Sequence, residues 1–323
     1  FNLFISYFLR FVKIRLKLKW LFHDIMEWVG IPVKLNRRKG EVQVLCFHGI
    51  CSNNQAFING RFILEKQCEA LLKALDVEYN IISLEDFIKG HQKPNKLNIL
   101  LTFDDGYLNN KTLLLPILEK YQIPASFFVT TKNSNPKWTD LFDIIKNEKI
   151  SFLKLQNSFP SLNGFSLNEI KKWLLVQDDK VIMEITELLK ELAQPFLVKY
   201  KVFWELLDKN DLVELKKHPL ISIANHSVNH LSFTNLNEDE INLELIDSVR
   251  FLDELETPYS KVFAYPFGHY NEKLIQLLES KNIEIQFSAD GSKKKRKGIT
   301  DRLVVNPFIS LRNQLKAIDN GQY

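Results

Sequence analysis

The sequence predicts an α/β fold built on parallel strands, either an open sheet or a barrel. Three observations carry this. Short apolar runs alternate with segments whose apolar residues recur at helical spacing, the pattern of βαβ units. Several runs stop on residues that bind metals or move protons: His48, Asp104-Asp105, Asn225-His226 and Pro266-Phe267-Gly268. The 323 residues are 45% hydrophobic and 25% charged, a soluble globular balance, long enough for one barrel-sized domain or two ordinary ones. With 24 Phe against 11 Gly and 11 Pro, disorder does not dominate.

Val42 to Phe47 is the first clear buried strand, ending at His48-Gly49. Residues 61–75 place Phe62, Leu64, Cys68, Leu71, Leu72 and Leu75 at helical spacing. Tyr79 to Ser83 reads as a short strand, and Ser83 with Asp86 opens a helix as a capping box does. The loop His91 to Lys96 leads into the run Ile99 to Phe103, which ends in Asp104-Asp105-Gly106-Tyr107. Residues 109–120 read as a helix and Ala125 to Val129 as the next strand. Residues 132–218 break the rhythm. Trp138 to Asn147, the Ser166/Glu169 capping signal before Ile170, Trp173 and Leu174, and the stripe from Val181 to Leu192 stopped by Pro195 describe helices, as does Asp211 to Lys217. They form a helical insertion over the parallel core, as packing or as a lid. The alternation resumes with Leu220 to Ala224 and a helix capped by Asn237 and Glu240. Val262 to Tyr265, a helix capped by Asn271, and Ile283 to Ser288 follow, and residues 291–298 read as an exposed basic loop.

A net charge of +4 is too mild to indicate a nucleic-acid partner. Cys46, Cys51 and Cys68 are odd in number and lack metal-ligand spacing, which points to a reducing, cytoplasmic compartment, with Cys46 as a small core residue. Residues 1–40 form a basic, apolar segment ahead of a 41–323 domain. The first 20 residues carry Arg10, Lys13, Arg15, Lys17 and Lys19 among Phe, Leu and Ile. No uncharged run reaches spanning length, and no small-residue cleavage site follows. Two readings stand: peripheral contact with the anionic inner face of a membrane, or packing against the protein body. The alternation from Val12 to Lys19 also has strand period.

In parallel α/β folds the C-terminal strand ends share one face, and catalysis gathers there. Asp104-Asp105-Gly106 alone fits a turn as well as a site, because Asp-Gly is a common turn dipeptide. His226 and His230, four apart, would lie on one side of a helical turn and suit two ligands of one ion. Among 7 histidines, a chance pair is the other reading. Two histidines and a carboxylate leave coordination positions open, as a catalytic metal centre requires.

At these residues the chain resembles the carbohydrate esterase family 4 polysaccharide deacetylases, the NodB-homology proteins. Thr102-Phe103-Asp104-Asp105-Gly106 resembles the family's first motif, His226-Ser227-Val228-Asn229-His230 its second, and Phe263-Ala264-Tyr265-Pro266-Phe267-Gly268 its third. The similarity runs from about Val42 to about Ser310, outside the insertion. The resemblance implies a distorted (β/α)7-type barrel with a helical insertion. It implies metal-dependent removal of acetyl groups, usually N-acetyl, from a glycan or its lipid-linked precursor: O-antigen, capsule or exopolysaccharide. Asp105, His226 and His230 would hold the ion, most simply Zn²⁺, with Ni²⁺ or Co²⁺ as alternatives. Asp104 would be the general base. The Phe267 N–H would bind the oxyanion, with Pro266 fixing the turn.

Two departures from the pattern matter. Ala264 stands where the usual third motif opens with an arginine that pairs with the base, and Arg302, after a turn at Asp301, is the candidate substitute. No late Leu-x-His follows residue 269. Leu45-Cys46-Phe47-His48 instead resembles the poly-N-acetylglucosamine deacetylases, which carry that histidine early and read Tyr-Pro in the third motif. His48 would then be the general acid, with a loop-capping histidine as the other reading and His269 in reserve. Tyr107, Trp138 and Tyr265 are candidates for stacking on a sugar ring, against core packing. The alternative function is a catalytically inactive glycan-binding module on the same fold.

Overall fold

The structure, a computed structural model, describes residues 17–26, 28–31, 38–54, 57–132, 136–289 and 297–323. Its strands are β1 (Val42–Phe47), β2 (Gly49–Cys51), β3 (Phe62–Leu64), β4 (Asn80–Ile82), β5 (Asn98–Phe103), β6 (Ala125–Val129), β7 (Ile221–Asn225), β8 (Tyr259–Ala264), β9 (Ile285–Ser288) and β10 (Ile299–Val304). Eight of them form one parallel sheet in the order β1-β10-β9-β8-β7-β6-β5-β4. β1 also pairs along its whole length with β5, Val42 with Asn98 through Phe47 with Phe103, and this closes the ring. The other edge of β5 is divided: its first half pairs with β4 and its last two residues pair with β6. β4 is therefore a wedge at one seam, and seven strands with this wedge make the distorted barrel that the motifs implied.

Helices cover the outside, so β5 and β6 are buried on both faces, every residue of each, and read as apolar runs. Period-two alternation sorts their side chains. Val44, Leu100, Phe128, Ala224, Ala264 and Phe287 form one cluster. Leu45, Leu101, Phe103, Phe127 and Ile223 form another, under the outer helices. Helices α2 (Glu65–Glu78) and α4 (Leu115–Tyr121) pack on this second cluster, α3 (Leu84–Lys89) packs on the first through Leu84, and α1 spans 17–26. Between β6 and β7 the described residues form helices, α5 (Trp138–Asn147), α6 (Leu153–Ser158), α7 (Leu167–Leu174), α8 (Asp179–Ala193) and α9 (Lys209–Leu215), with short 3-10 turns and one β-bridge from Leu206 to Tyr107. Leu141, Ile145, Leu155, Ile185 and Leu189 give this insertion its own apolar core, continuous with Phe62 and Tyr107. α10 (Glu238–Glu254), α11 (Glu272–Ser280) and α12 (Leu311–Asn320) complete the chain. The capping boxes at Ser83/Asp86, Ser166/Glu169 and Asn237/Glu240 form as read.

Some expectations are corrected. Residues 62–64 are strand, not helix: β3 pairs with β2, and the Phe62 ring lies so close over Gly49 that a Cβ there would stand 2.1 Å from it. The expected helix over 109–120 starts as a π-helical turn, Asn110–Leu114, before α4; Pro116 in the first turn of α4 cannot donate to the turn before it. Lys17 to Lys19 are helical rather than extended, and residues 12–16 lie outside the described residues, as do 291–296 of the basic loop. Asp301 is not a turn: it sits within β10 and pairs with Ser288 of β9. No helix among the described residues is long and apolar enough to cross a membrane.

Candidate active site

The site grows from the end of β5. The Asp104 N–H donates to Phe47 O (2.9 Å), extending the β1 pairing by one residue. The chain then turns through two left-handed residues, Asp105 (φ 76°) and Gly106 (φ 75°). Glycine is needed at the second, because a Cβ would also press on Val129 at 3.1 Å. Left-handed aspartate costs roughly 1–2 kcal/mol, a strain tolerated where geometry matters more than local comfort. The turn keeps both carboxylates buried at one strand end.

The two acids have different partners. Arg302, on the inward side of β10, grips Asp104 with both ends of its guanidinium: Nη1 to Oδ1 and Nη2 to Oδ2, each 2.7 Å. Arg302 is itself oriented by donating to Ser288 O (3.0 Å) and Thr102 Oγ1 (3.2 Å), and it lies over the rings of Phe128 and Phe287. Burial works against the Asp104 charge, but Arg302, followed by His226, outweighs it and holds the carboxyl at about 2. Asp105 faces different groups. Its Oδ1 lies 3.1 Å from His230 Nε2, 3.2 Å from Lys137 Nζ and 3.7 Å from His226 Nε2. Burial opposes its charge, while Lys137 and His230 pull its pKa well below the usual range.

Both histidines come from the loop after β7. The residues from His226 to His230 are not helical, contrary to the four-residue spacing. Ser227 and His230 take positive φ (68° and 56°), and polar side chains fix the loop. Asn225 Oδ1 accepts from Ser227 N (2.8 Å), and the buried Glu244 of α10 accepts from the N–H groups of Val228 and Asn229, each 2.9 Å. The rings still end 5.0 Å apart. His226 Nδ1 donates to Ala264 O (2.8 Å), which leaves Nε2 as the lone-pair nitrogen toward the carboxylates. Burial lowers the pKa of both rings, that of His230 to about 4, so both are neutral at pH 7, as ligands must be.

Donor atoms of Asp105, His226 and His230 all lie within 4.8 Å of one another. Ligands of one tetrahedral ion at about 2.1 Å stand about 3.4 Å apart, and the two measured Asp105–His separations bracket that value. Asp105 Oδ1 is buried and accepts no aligned hydrogen bond among the described residues. These three side chains therefore fit a divalent cation.

His48, partly buried between β1 and β2, joins from the other side: its ring nitrogen, Cys46 Sγ and an Asp104 oxygen also fall within 4.8 Å of one another. His226 Nε2 stands 3.9 Å from Asp104 Oδ2 and links the two groups. His48, Asp104, Asp105, His226 and His230 thus converge. A model of the family described as polysaccharide deacetylase matches residues 91–285, more than half of the chain. The chain belongs to the polysaccharide deacetylase family. It is 22% identical over 294 residues to a Bacillus subtilis protein named putative polysaccharide deacetylase YxkH, covering 89% of this chain and 77% of that one. Among solved structures it is similar to the Streptococcus pyogenes deacetylase PplD in complex with acetate (TM-score 0.57, 19% identity, 88% of this chain and 99% of that one). It is also similar to IcaB from Ammonifex degensii (TM-score 0.55, 17% identity, 88% and 97%).

The stretch matched to the polysaccharide deacetylase family contains both acids and both histidines but neither His48 nor Arg302; the fold brings those two in from outside it. Around them the aromatic candidates divide. The rings of Tyr107 and Tyr265 are fully buried, contrary to a stacking role. Tyr107 donates to Asp140 Oδ1 (2.9 Å) and packs on Phe62, while Tyr265 donates to Gln286 and packs among Phe233, Phe263 and Tyr270. Trp138 instead borders a cavity of about 620 Å³ that His230, Lys137 and residues of α8 also line. After Tyr265, Pro266 opens a turn in which Phe267 has φ 59°, and the Phe267 N–H has no acceptor among the described residues. Gly268 must follow, since a Cβ there would meet the Ala289 backbone at 2.7 Å. The Phe267 ring lies 4.6 Å from His230, and His269 Nδ1 pairs with Ser232 Oγ (3.1 Å).

Two site residues escaped the sequence. Lys137 follows a proline just before α5 and has no motif to mark it. Glu244 was findable: it occupies an inward position between Ile241 and Ser248 of α10, where an acid needs a reason to be buried.

Proposed function

We propose that the protein is a metal-dependent N-deacetylase of a surface polysaccharide or its lipid-linked precursor. One observation carries this. A carboxylate clamped by arginine, Asp104, stands beside a separate donor set of Asp105, His226 and His230. A binding module has no use for an ionised, unligated acid at that place. Zn²⁺ is the simplest ion for two imidazoles and a carboxylate, with Ni²⁺ or Co²⁺ as alternatives. When bound, the ion supplies Lewis-acid chemistry, polarising the acetyl carbonyl and acidifying water.

The chain's own groups do the rest. Asp104, charged at every physiological pH, accepts the proton of the attacking water. Arg302 occupies one lone pair on each of its oxygens and the Cys46 thiol also donates to Oδ2 (3.5 Å), which leaves Oδ1 the less engaged oxygen for that proton. The Phe267 N–H takes the charge that develops on the carbonyl oxygen. His48 delivers a proton to the departing nitrogen. Burial disfavours its charged form, against the pull of Asp105 and Asp104, so its imidazolium is scarce near neutral pH but a stronger acid. Trp138 and the α8 wall of the cavity shape where the sugar lies. The likeness to a deacetylase solved with acetate, the product expected here, supports this reading.

The test is an acetate-release screen over N-acetylated glycans and lipid-linked saccharides, with and without a chelator. Acetate release that the chelator stops and added metal restores is expected. Glycan binding with no acetate from any substrate would favour an inactive binding module instead. In the same assay, His48→Ala should lower turnover about a hundredfold or more, the scale of a lost proton donor, with metal content unchanged. Near-normal turnover would remove His48 from the chemistry.

A further inference from the structure

α1 wears its amphipathicity inside out. Leu18, Leu21, Phe22 and Ile25 share one helical face, and each is about half exposed or more; past the helix, Trp28 is 86% and Val29 50% exposed. The opposite side is tied to the protein by polar contacts. His23 Nδ1 pairs with Asn313 Oδ1 (3.0 Å), and Asn313 Nδ2 donates to Asp24 Oδ1 (2.7 Å) and to Trp20 O (3.1 Å). Ser310 Oγ donates to Asp24 Oδ1 (2.6 Å), Lys316 Nζ donates to His23 Nε2 (2.7 Å), and the Trp20 ring meets Tyr323 edge-on. A helix that only packed on the body would turn its leucines and phenylalanine inward. This one is held by its polar side, and its apolar side is presented outward.

Charge identifies what the face meets. Lys17 and Lys19 are exposed, and at helical spacing they stand about 100° to either side of the Leu18 direction, flanking the stripe. Arg312 and Lys316 of α12 lie beside it; Arg312 Nη2 donates to Ile31 O (3.2 Å), and Lys19 and Arg312 act on Lys316 as neighbouring cations. The first acidic residue of the chain is Asp24, which is engaged inward, and the sequence ahead of it adds Arg10, Lys13 and Arg15. A second copy docked here would oppose one set of cations with another. An interface of phosphate headgroups over acyl chains satisfies both the stripe and its basic flanks.

We propose that the outward face of α1 docks the protein on an anionic phospholipid surface, with Leu18, Leu21, Phe22 and Ile25 entering the headgroup boundary and Lys17 and Lys19 pairing with phosphates. The inference is independent of the hydrolysis, since none of these residues belongs to the site. The test is co-sedimentation of the full chain with vesicles of phosphatidylglycerol and phosphatidylcholine in equal parts, and with phosphatidylcholine alone. Binding to the first and not the second is expected, weakened at high salt. Leu21→Glu with Phe22→Glu, and separately Lys17→Glu with Lys19→Glu, should each lower partitioning at least about tenfold while acetate release from a soluble substrate is retained. The lysine pair keeps the test decisive if the apolar pair fails to fold. Three results would overturn the proposal: wild type left in the supernatant with anionic vesicles, both variants binding as wild type does, or light scattering that shows a dimer dissociated by these substitutions with no lipid bound.

Discussion

Asp104→Asn is expected to lower acetate release about a thousandfold or more, at the upper end of what a general base contributes, while metal content stays at the wild-type level. His226→Ala is expected to lose the ion and, with it, activity. The contrast follows from the geometry. Both oxygens of Asp104 are held by Arg302, whereas Asp105 Oδ1 is the buried oxygen without an aligned donor, between the two imidazoles. Asparagine keeps the shape and a hydrogen-bond acceptor for Arg302 but cannot take a proton. Metal analysis of the purified variants alongside acetate assays decides the matter. Equal metal loss in both would mean that Asp104 is also a ligand, and the division of labour between the adjacent acids would be wrong.

Arg302→Ala should produce the largest loss of stability. It leaves the Asp104 carboxylate buried with its main counter-charge removed, a change that costs about 3–5 kcal/mol when one partner of a buried ion pair is deleted. A lowered denaturant midpoint would show it. The sign of the pH effect is fixed by the same pair. In the intact protein Asp104 titrates at about 2 rather than 3.8, so the pair's stabilisation is fully present above 3.8 and is lost as pH falls toward 2. Without Arg302 the desolvation remains and the carboxyl moves up. The acid limb of the turnover profile should then shift to higher pH, and the variant should become less stable, not more, as pH rises through that new value. Arg302→Lys, which keeps the charge but not the two-pronged grip, should fall between. An unchanged acid limb in Arg302→Ala would separate Arg302 from the base.

Much of this was legible because buried parallel strands announce themselves. β1 and β6 begin and end on apolar residues, Val42 to Phe47 and Ala125 to Val129, and those are their limits in the structure. The site's address followed from where such runs stop. What stayed hidden is instructive. β10, Ile-Thr-Asp-Arg-Leu-Val, does not look like a buried strand because Arg302 takes an interior position to meet Asp104, so the functional demand erased the structural signal. The helical reading of His226 to His230 failed because Asn225 and Glu244 compete for the backbone N–H groups that a helix would use. Tyr107 and Tyr265 were open between sugar stacking and core packing, and packing holds: both rings are buried and their hydroxyls find Asp140 and Gln286, partners remote in sequence.

The ring's closure bears on how the protein is made. β1 meets β5 early, yet its second neighbour, β10, is synthesised only after the nine strands before it, and the guanidinium that steadies Asp104 follows that acid by 198 residues. Until then a nascent chain carries an uncovered strand edge and an Asp104 without its counter-ion, the features that invite chaperones or mispairing. A chain that stops short of β10 therefore has neither a closed ring nor the Asp104–Arg302 pair.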